Sequence, residues 1–277
     1  MRVKIIVDST VDLPAAQKAQ VTAVPLAVRF ADQEYLDGVT ITAEAFYEKL
    51  EQAQELPTTS QPTPASFEDA FREAVEAGYE VVCITIASGL SGTYQSATIA
   101  AEEFPGKVWV VDSRSAALGA GILTEYALEL AEQGLGGEEI LQALIRKRKQ
   151  IRLYFIVDTL EYLKKGGRLS GAVAVVGGLL NIKPVLTVEE GGIRVLGTAR
   201  GMKKAYAMLD QACIDSGVDR SCPVLLGHTG GSDEHLRKYV AEGTTLWHDG
   251  DASTIIGAAI GVHVGPGAVA ACFFAEE

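Results

Sequence analysis

The sequence predicts an α/β protein of two domains: a parallel-sheet α/β domain, then an α/β domain with a mixed or antiparallel sheet. Three observations predict it. Short β-branched runs alternate with stretches of helical spacing through the first half. Those runs are continuously apolar, as in strands covered on both faces. In the second half, Glu190-Gly191-Gly192 separates two alternating runs, which is a hairpin signal.

Taken in order, Val3 to Val7 and Val21 to Phe30 read as strands. Ala43 to Gln54 and Pro64 to Ala77 carry apolar residues three and four apart, with Pro64 suited to a first helical turn and Gly78 to a stop. Val81 to Ile86 reads as a buried strand, Ser91 to Phe104 as helix and Lys107 to Val111 as strand. Helical stretches Ala116 to Gln133 and Glu138 to Lys149 precede Ile151 to Asp158, whose β-branched and aromatic content suits the opening strand of a second domain. The boundary is therefore expected near residue 150, dividing the chain into 1–150 and 151–277. Beyond it, Pro184 to Glu189 and Ile193 to Thr198 form the hairpin, Met202 to Ser216 a helix, and Pro223 to Gly227 and Ala268 to Phe274 strands.

Composition narrows the function. The 277 residues are 48% hydrophobic, enough for a substantial core. A formal charge of −12 argues against broad electrostatic binding to nucleic acid or to an anionic membrane. The N-terminus meets Lys4 too early for a signal-peptide core, and no apolar run reaches spanning length, so a cytoplasmic location without stable membrane insertion is expected. Cys83, Cys213, Cys222 and Cys272 form no C-x-x-C pair, and His, Asp and Glu do not cluster at ligand spacing. Neither a disulfide framework nor a metal site is expected.

The chemistry concentrates in two hydroxyl-rich segments, Thr58-Thr59-Ser60-Gln61-Pro62-Thr63-Pro64 and Ser88-Gly89-Leu90-Ser91-Gly92-Thr93-Tyr94-Gln95-Ser96. In a parallel sheet both can reach the carboxyl edge of the strands, where ligands sit. Ser, Thr and Gly entering a helix N-terminus can cradle a carboxylate or phosphate; simple helix capping is the structural alternative. Gly89-Leu90-Ser91-Gly92-Thr93 departs from the G-x-S-x-G nucleophile elbow at Thr93, and the P-loop lysine is missing. Arg168, in Lys164-Lys165-Gly166-Gly167-Arg168-Leu169-Ser170-Gly171, can donate charge-assisted hydrogen bonds to a carboxylate, while the two lysines suit a solvated helix end. Arg146-Lys147-Arg148-Lys149 reads most simply as another solvated helix end. His263 lies in a glycine-dense stretch that suggests close backbone approach.

In this order, Asp8-Ser9-Thr10 with Asp12-Leu13, Thr59-Ser60-Gln61-Pro62, Leu90 to Ala97, Val111-Asp112-Ser113, Leu163 to Ser170, Asn181-Ile182-Lys183-Pro184 and His263-x-Gly265-Pro266-Gly267 resemble the DegV family of bacterial fatty-acid-binding proteins. The resemblance spans nearly the whole chain. It implies a two-domain carrier that holds one long-chain fatty acid, such as palmitate, between its domains without performing chemistry. It places Thr59, Ser91, Gly92, Arg168 and His263 around the carboxylate. Members present the acid to a separate fatty acid kinase, which makes acyl phosphate for phospholipid synthesis; Arg200, with Lys203 and Lys204, matches the docking position. Ala87 and Thr63 stand where many members carry Ser, and Gly201 and Met202 interrupt a run that is often more basic.

Ala172 to Val176, Leu179-Leu180, Ile182 and Val185-Leu186 offer aliphatic side chains for a tunnel, although core packing accounts for them equally. Expected partners are thus a fatty acid and its kinase, with a monomer as the expected state and no cofactor. A serine hydrolase acting on lipid esters through Ser91 is the enzyme alternative, and a binder of small carboxylates the third. Copurifying lipid favours the carrier, while fluorophosphonate labelling of Ser91 favours the hydrolase.

Overall fold

The computed structural model describes residues 2–169, 181–242, 246–248 and 250–276. In chain order the first half runs β1 (Val3–Asp8), α1 (Ala15–Lys18), β2 (Thr22–Val24), β3 (Ala27–Phe30), β4 (Gln33–Leu36), α2 (Ala43–Gln52), β5 (Thr58–Ser60), α3 (Pro64–Glu76), β6 (Glu80–Thr85), α4 (Thr93–Ala101), β7 (Val108–Asp112), α5 (Leu118–Glu132) and α6 (Gly137–Lys147). A 3-10 turn at Arg148–Gln150 leads into β8 (Ile151–Ile156). Then follow α7 (Glu161–Lys165), β9 (Ile182–Glu189), β10 (Gly192–Arg200), α8 (Met202–Ser216), β11 (Val224–His228), α9 (Glu234–Glu242), β12 (Ala252–Ile255), α10 (Ala258–Val264) and β13 (Val269–Phe274).

Strands β2-β1-β6-β7 form a fully parallel sheet, in keeping with their continuous apolar runs, and every residue of β6 is buried. The run Val21 to Phe30, expected as one strand, is two. Pro25 has no N–H to give a ladder, and the next amide, Leu26 N, donates instead to Ser9 Oγ (3.0 Å). The chain changes sheets there, and β3 pairs antiparallel with β4 and β5 in a small third sheet. Thr58-Thr59-Ser60 is therefore a strand and not a loop, with Thr59 opposite Val28. The α3 start follows the expected chemistry: Thr63 Oγ1 accepts from Ser66 N (3.2 Å), Pro64 occupies the first turn, and Gly78 takes a left-handed φ of 84° just past the end.

The second sheet is mixed, in the order β10-β9-β8-β13-β11-β12, with only β11 and β12 parallel. Its hairpin turns at Glu190 (φ 51°) and Gly191 (φ 78°), the paired left-handed conformations of a type I′ turn. A bulge between Val195 and Gly197 leaves Leu196 exposed. The central core joins α5 to side chains of β1, β6, β8, β11 and β13, so this largely buried helix lies between the parallel and mixed sheets. Outer clusters seat α3 and α4 on the parallel sheet and α8 and α9 on the mixed one. A fourth joins α2, α10 and β3. Val185 and Leu186 belong to different clusters on opposite faces of β9, so both are core residues; Ala172 to Val176 and Leu179-Leu180 lie outside the described residues. Among the described residues no helix is long and apolar enough to cross a membrane.

Candidate functional site

The carboxyl ends of β1 and β6, the strand β5, the turn after α7 and one side of α10 converge on a partly open cavity. It holds about 770 Å³ of space not filled by protein atoms, its mouth included. Its walls are aliphatic and aromatic: Leu26, Ile86, Leu90, Leu153, Phe155, Leu163, Val188 and Ile193, with alanines from α10, β13 and the β7–α5 turn. Among the described residues, five of those lining it carry polar side-chain groups: Thr10, Thr59, Ser91, Arg168 and His263. A room of this composition is suited in shape and polarity to a long apolar molecule with one polar end.

Two of these polar groups touch directly, and the others are held by neighbouring segments. Thr59 Oγ1 lies 3.0 Å from His263 Nε2. Arg168 donates from Nε to the Leu90 carbonyl (3.2 Å) and from Nη1 to the Gly166 carbonyl (2.6 Å), tying its guanidinium to the residue before Ser91. Ser91 Oγ lies 2.8 Å from Thr93 Oγ1 and accepts from Thr93 N (3.3 Å), forming a hydroxyl pair at the start of α4. Burial, and then the Arg168 charge, push the His263 imidazole down to about 4. The ring is neutral near pH 7, and its Nδ1 is buried with no hydrogen-bond partner among the described residues. A carboxylate placed here meets hydroxyls and a guanidinium, and its charge opposes the Arg168 effect on His263.

Three buried carboxyls position these elements. Asp8 accepts from Thr10 N (2.9 Å), Thr10 Oγ1 and Ile86 N (2.8 Å), clamping together two cavity-lining segments. Asp12 accepts from Gly257 N (2.8 Å), and Asp37 from Ala258 N and Ala259 N (3.1 Å each). Those are the orphan amides at the start of α10, whose N-cap residue, Gly257, offers no side chain. Burial raises all three carboxyls above the usual range, with Asp12 raised furthest. Close approach also favours glycine at one position: a Cβ on Gly166 would strike the His263 ring.

The structure thus gathers Thr59, Ser91, Arg168 and His263 at one cavity. Gly92 lies beside them as the N-cap of α4, exposed and outside the cavity lining. Arg200, Lys203 and Lys204 lie elsewhere, exposed at the end of β10 and the start of α8. The nucleophile reading of Ser91 finds no support, since Ser91 pairs with Thr93 and the His263 Nε2 contact goes to Thr59. Sequence reasoning missed Asp37 and the wall made by Ile256, Ala259, Ile260 and Val264. The one available signal was the acid in Asp37-Gly38, which reads locally as a turn. The expected solvated helix end at Arg146 to Lys149 also needs correcting. Arg148 is half-buried with Nη1 on the Asp112 carbonyl, and the Lys147 ammonium lies 4.6 Å from the Phe274 ring centre.

Fold and cavity together define an α/β protein whose parallel four-stranded and mixed six-stranded sheets, with a small third sheet, surround an apolar chamber. The chain belongs to the DegV family, whose model, described as an uncharacterised protein family, matches residues 2–276. A DegV domain-containing protein of Deinococcus radiodurans is 41% identical over 97% of both chains. Among solved structures, the fatty-acid-binding DegV family protein of Thermus thermophilus superposes with a TM-score of 0.87 at 37% identity, covering 100% of both chains. The fatty acid kinase B3 protein of Streptococcus pneumoniae, loaded with linoleic acid, superposes at 0.84 with 25% identity, again over 100% of both chains.

Proposed function

We propose that this protein is a cytoplasmic carrier that binds one long-chain fatty acid between its 1–150 and 151–277 units and presents it to a separate fatty acid kinase. The observation that carries the reading is an apolar cavity whose few polar side chains, among the described residues, include Thr59, Ser91, Arg168 and His263. The carboxylate is held by Thr59, Ser91, the Gly92 segment, Arg168 and His263, and the tail lies against the aliphatic walls. At ~0.8 kcal/mol per buried methylene, about fourteen methylenes give roughly 11 kcal/mol gross before ordering costs. The tail supplies affinity; the head group sets its register. The fatty-acid-binding relatives from Thermus and Streptococcus support the same ligand class.

Native mass spectrometry followed by denaturing release tests the ligand: one equivalent of fatty acid is expected, and a preparation free of lipid that also fails to take up added acid refutes the reading. Ser91→Ala should weaken binding tenfold or more, since a donor to a charged acceptor contributes about 1.5–3 kcal/mol. Unchanged affinity of the folded, delipidated variant removes Ser91 from the carboxylate site. Docking is assigned to Arg200, Lys203 and Lys204, exposed on a chain of charge −12. Arg200→Glu should leave lipid content unchanged while slowing acyl-phosphate formation by a purified fatty acid kinase with ATP. Equal rates across ionic strengths place docking elsewhere.

A further inference from the structure

A second cleft lies outside the lipid cavity. Arg114 and Ser115 of the β7–α5 turn, Arg148 and Lys149 of the 3-10 turn, Arg152 and Tyr154 of β8, and the β9–β10 hairpin line it. Four cations from the β7–α5 turn, the 3-10 turn and the start of β8 line one groove in an acidic protein, and none forms an ion pair among the described residues. The nearby acids are largely engaged. Glu189 pairs with Arg194 (3.1 Å), and the Asp112 carboxylate accepts from Ser88 Oγ (2.6 Å), Ser88 N (3.2 Å) and Arg114 N (2.9 Å). Only Glu190, at the hairpin turn, lines the groove with no ion pair among the described residues.

The fold holds this arrangement against its own preferences. Arg114 sits at φ 54°, a left-handed conformation uncommon for a residue with a side chain. Arg148 is half-buried; its Nε is enclosed without an acceptor among the described residues, and burial and then the Arg114 charge disfavour its protonated form more than the nearby Asp112 carboxylate favours it. Two guanidiniums brought together, one of them partly desolvated and incompletely satisfied, are stabilised by an anion placed between them. A diffuse surface charge needs neither the burial nor the strain.

We propose that the Arg114–Arg148–Lys149–Arg152 groove is a binding site for a phosphate-bearing anion. A tetrahedral dianion matches several converging donors, and paired guanidiniums recognise it bidentately. The site is separate from the surface around Arg200. It adjoins the lipid chamber, because Val188 lines both and Ser115 leads directly into the chamber residues Ala116 and Ala117. The phosphate belongs either to a free diphosphate-bearing molecule or to a lipid headgroup, for which the exposed Leu196 on the groove rim offers an apolar contact.

The test uses the full chain loaded with fatty acid, at fixed ionic strength, and compares wild type with Arg114→Asn, whose side chain tolerates the left-handed backbone. Titration with inorganic pyrophosphate, followed by amide chemical shifts, is expected to saturate in wild type with shifts clustered at 112–116 and 147–152. Arg114→Asn should weaken it at least tenfold with unchanged lipid content. Lys149→Gln, exposed and outside the chamber, should weaken it in the same direction, whereas Lys149→Arg should not. Cosedimentation with phosphatidic acid vesicles, beside neutral phosphatidylcholine vesicles, separates the sources: a response to phosphatidic acid alone, lost in Arg114→Asn, assigns the headgroup. The proposal is overturned if neither probe binds, or if wild type and Arg114→Asn respond equally. It is also overturned if chloride at matched ionic strength competes as well as pyrophosphate.

Discussion

Acidification should expose the energetic cost of burying His263. The imidazole titrates at about 4 in the folded chain against about 6.5 when unfolded, so the folded state binds fewer protons across that interval. Stability from this group is therefore fully present above pH 6.5 and is lost as pH falls through 4. The gap corresponds to about 3 kcal/mol. Asp8, Asp12 and Asp37 act in the opposite sense: their raised carboxyls favour the folded state at low pH and lose that contribution as pH rises through their folded values. Urea unfolding of delipidated wild type and His263→Gln between pH 7.5 and 4 separates the two, because the carboxyl contributions are common to both proteins. The wild-type advantage should shrink by about 3 kcal/mol on acidification. A difference between the two proteins that stays constant with pH refutes the reasoning. In the loaded protein a carboxylate beside the ring lifts its titration toward the usual value, so the same experiment should give a shallower slope.

Two further changes probe the walls of the chamber. Asp37→Ala strips two buried amides at the start of α10 of their acceptor and should cost about 2–4 kcal/mol in urea unfolding, even with one buried charge removed. Asp37→Asn should cost less, and a loss below about 0.5 kcal/mol for Ala shows that α10 is anchored by other contacts. Ala270→Leu adds three heavy atoms to a buried wall position and should shift the preferred acyl chain shorter by about two to four carbons, at ~0.8 kcal/mol per displaced methylene. A competition series of saturated acids reads this directly, and an unmoved optimum places the tail away from β13.

Much of the fold is written in local rules. Continuous apolar runs specify β1, β6 and β7 because both faces of a parallel sheet are covered, and Glu190-Gly191 marks its hairpin because glycine readily takes the left-handed conformation that a type I′ turn needs. Thr63-Pro64 and Gly78 bound α3 by satisfying or releasing its own backbone groups. The hydroxyl segments were visible for the same reason, as clusters of donors near element ends. Pro25 was equally visible in the sequence, yet its consequence, a strand leaving one sheet for another, depends on which edges are open.

The chamber itself is another matter. Thr59 meets His263 across 204 positions of chain, and Asp37 caps a helix 221 residues away. Neither partner carries a local pattern that names the other. Arg148 reads as a solvated helix end until the Asp112 carbonyl and Arg114 close over it, because burial belongs to the assembled surface and not to the helix. Local pattern was enough to read β1, β6, β7, α3, the hairpin and the residue classes suited to a carboxylate, but not β5 or the break between β2 and β3. Which residues share a cavity follows only from the assembled fold, because periodicity and capping are satisfied within a few residues, whereas a cavity is built from single side chains of distant segments whose proximity no local interaction encodes.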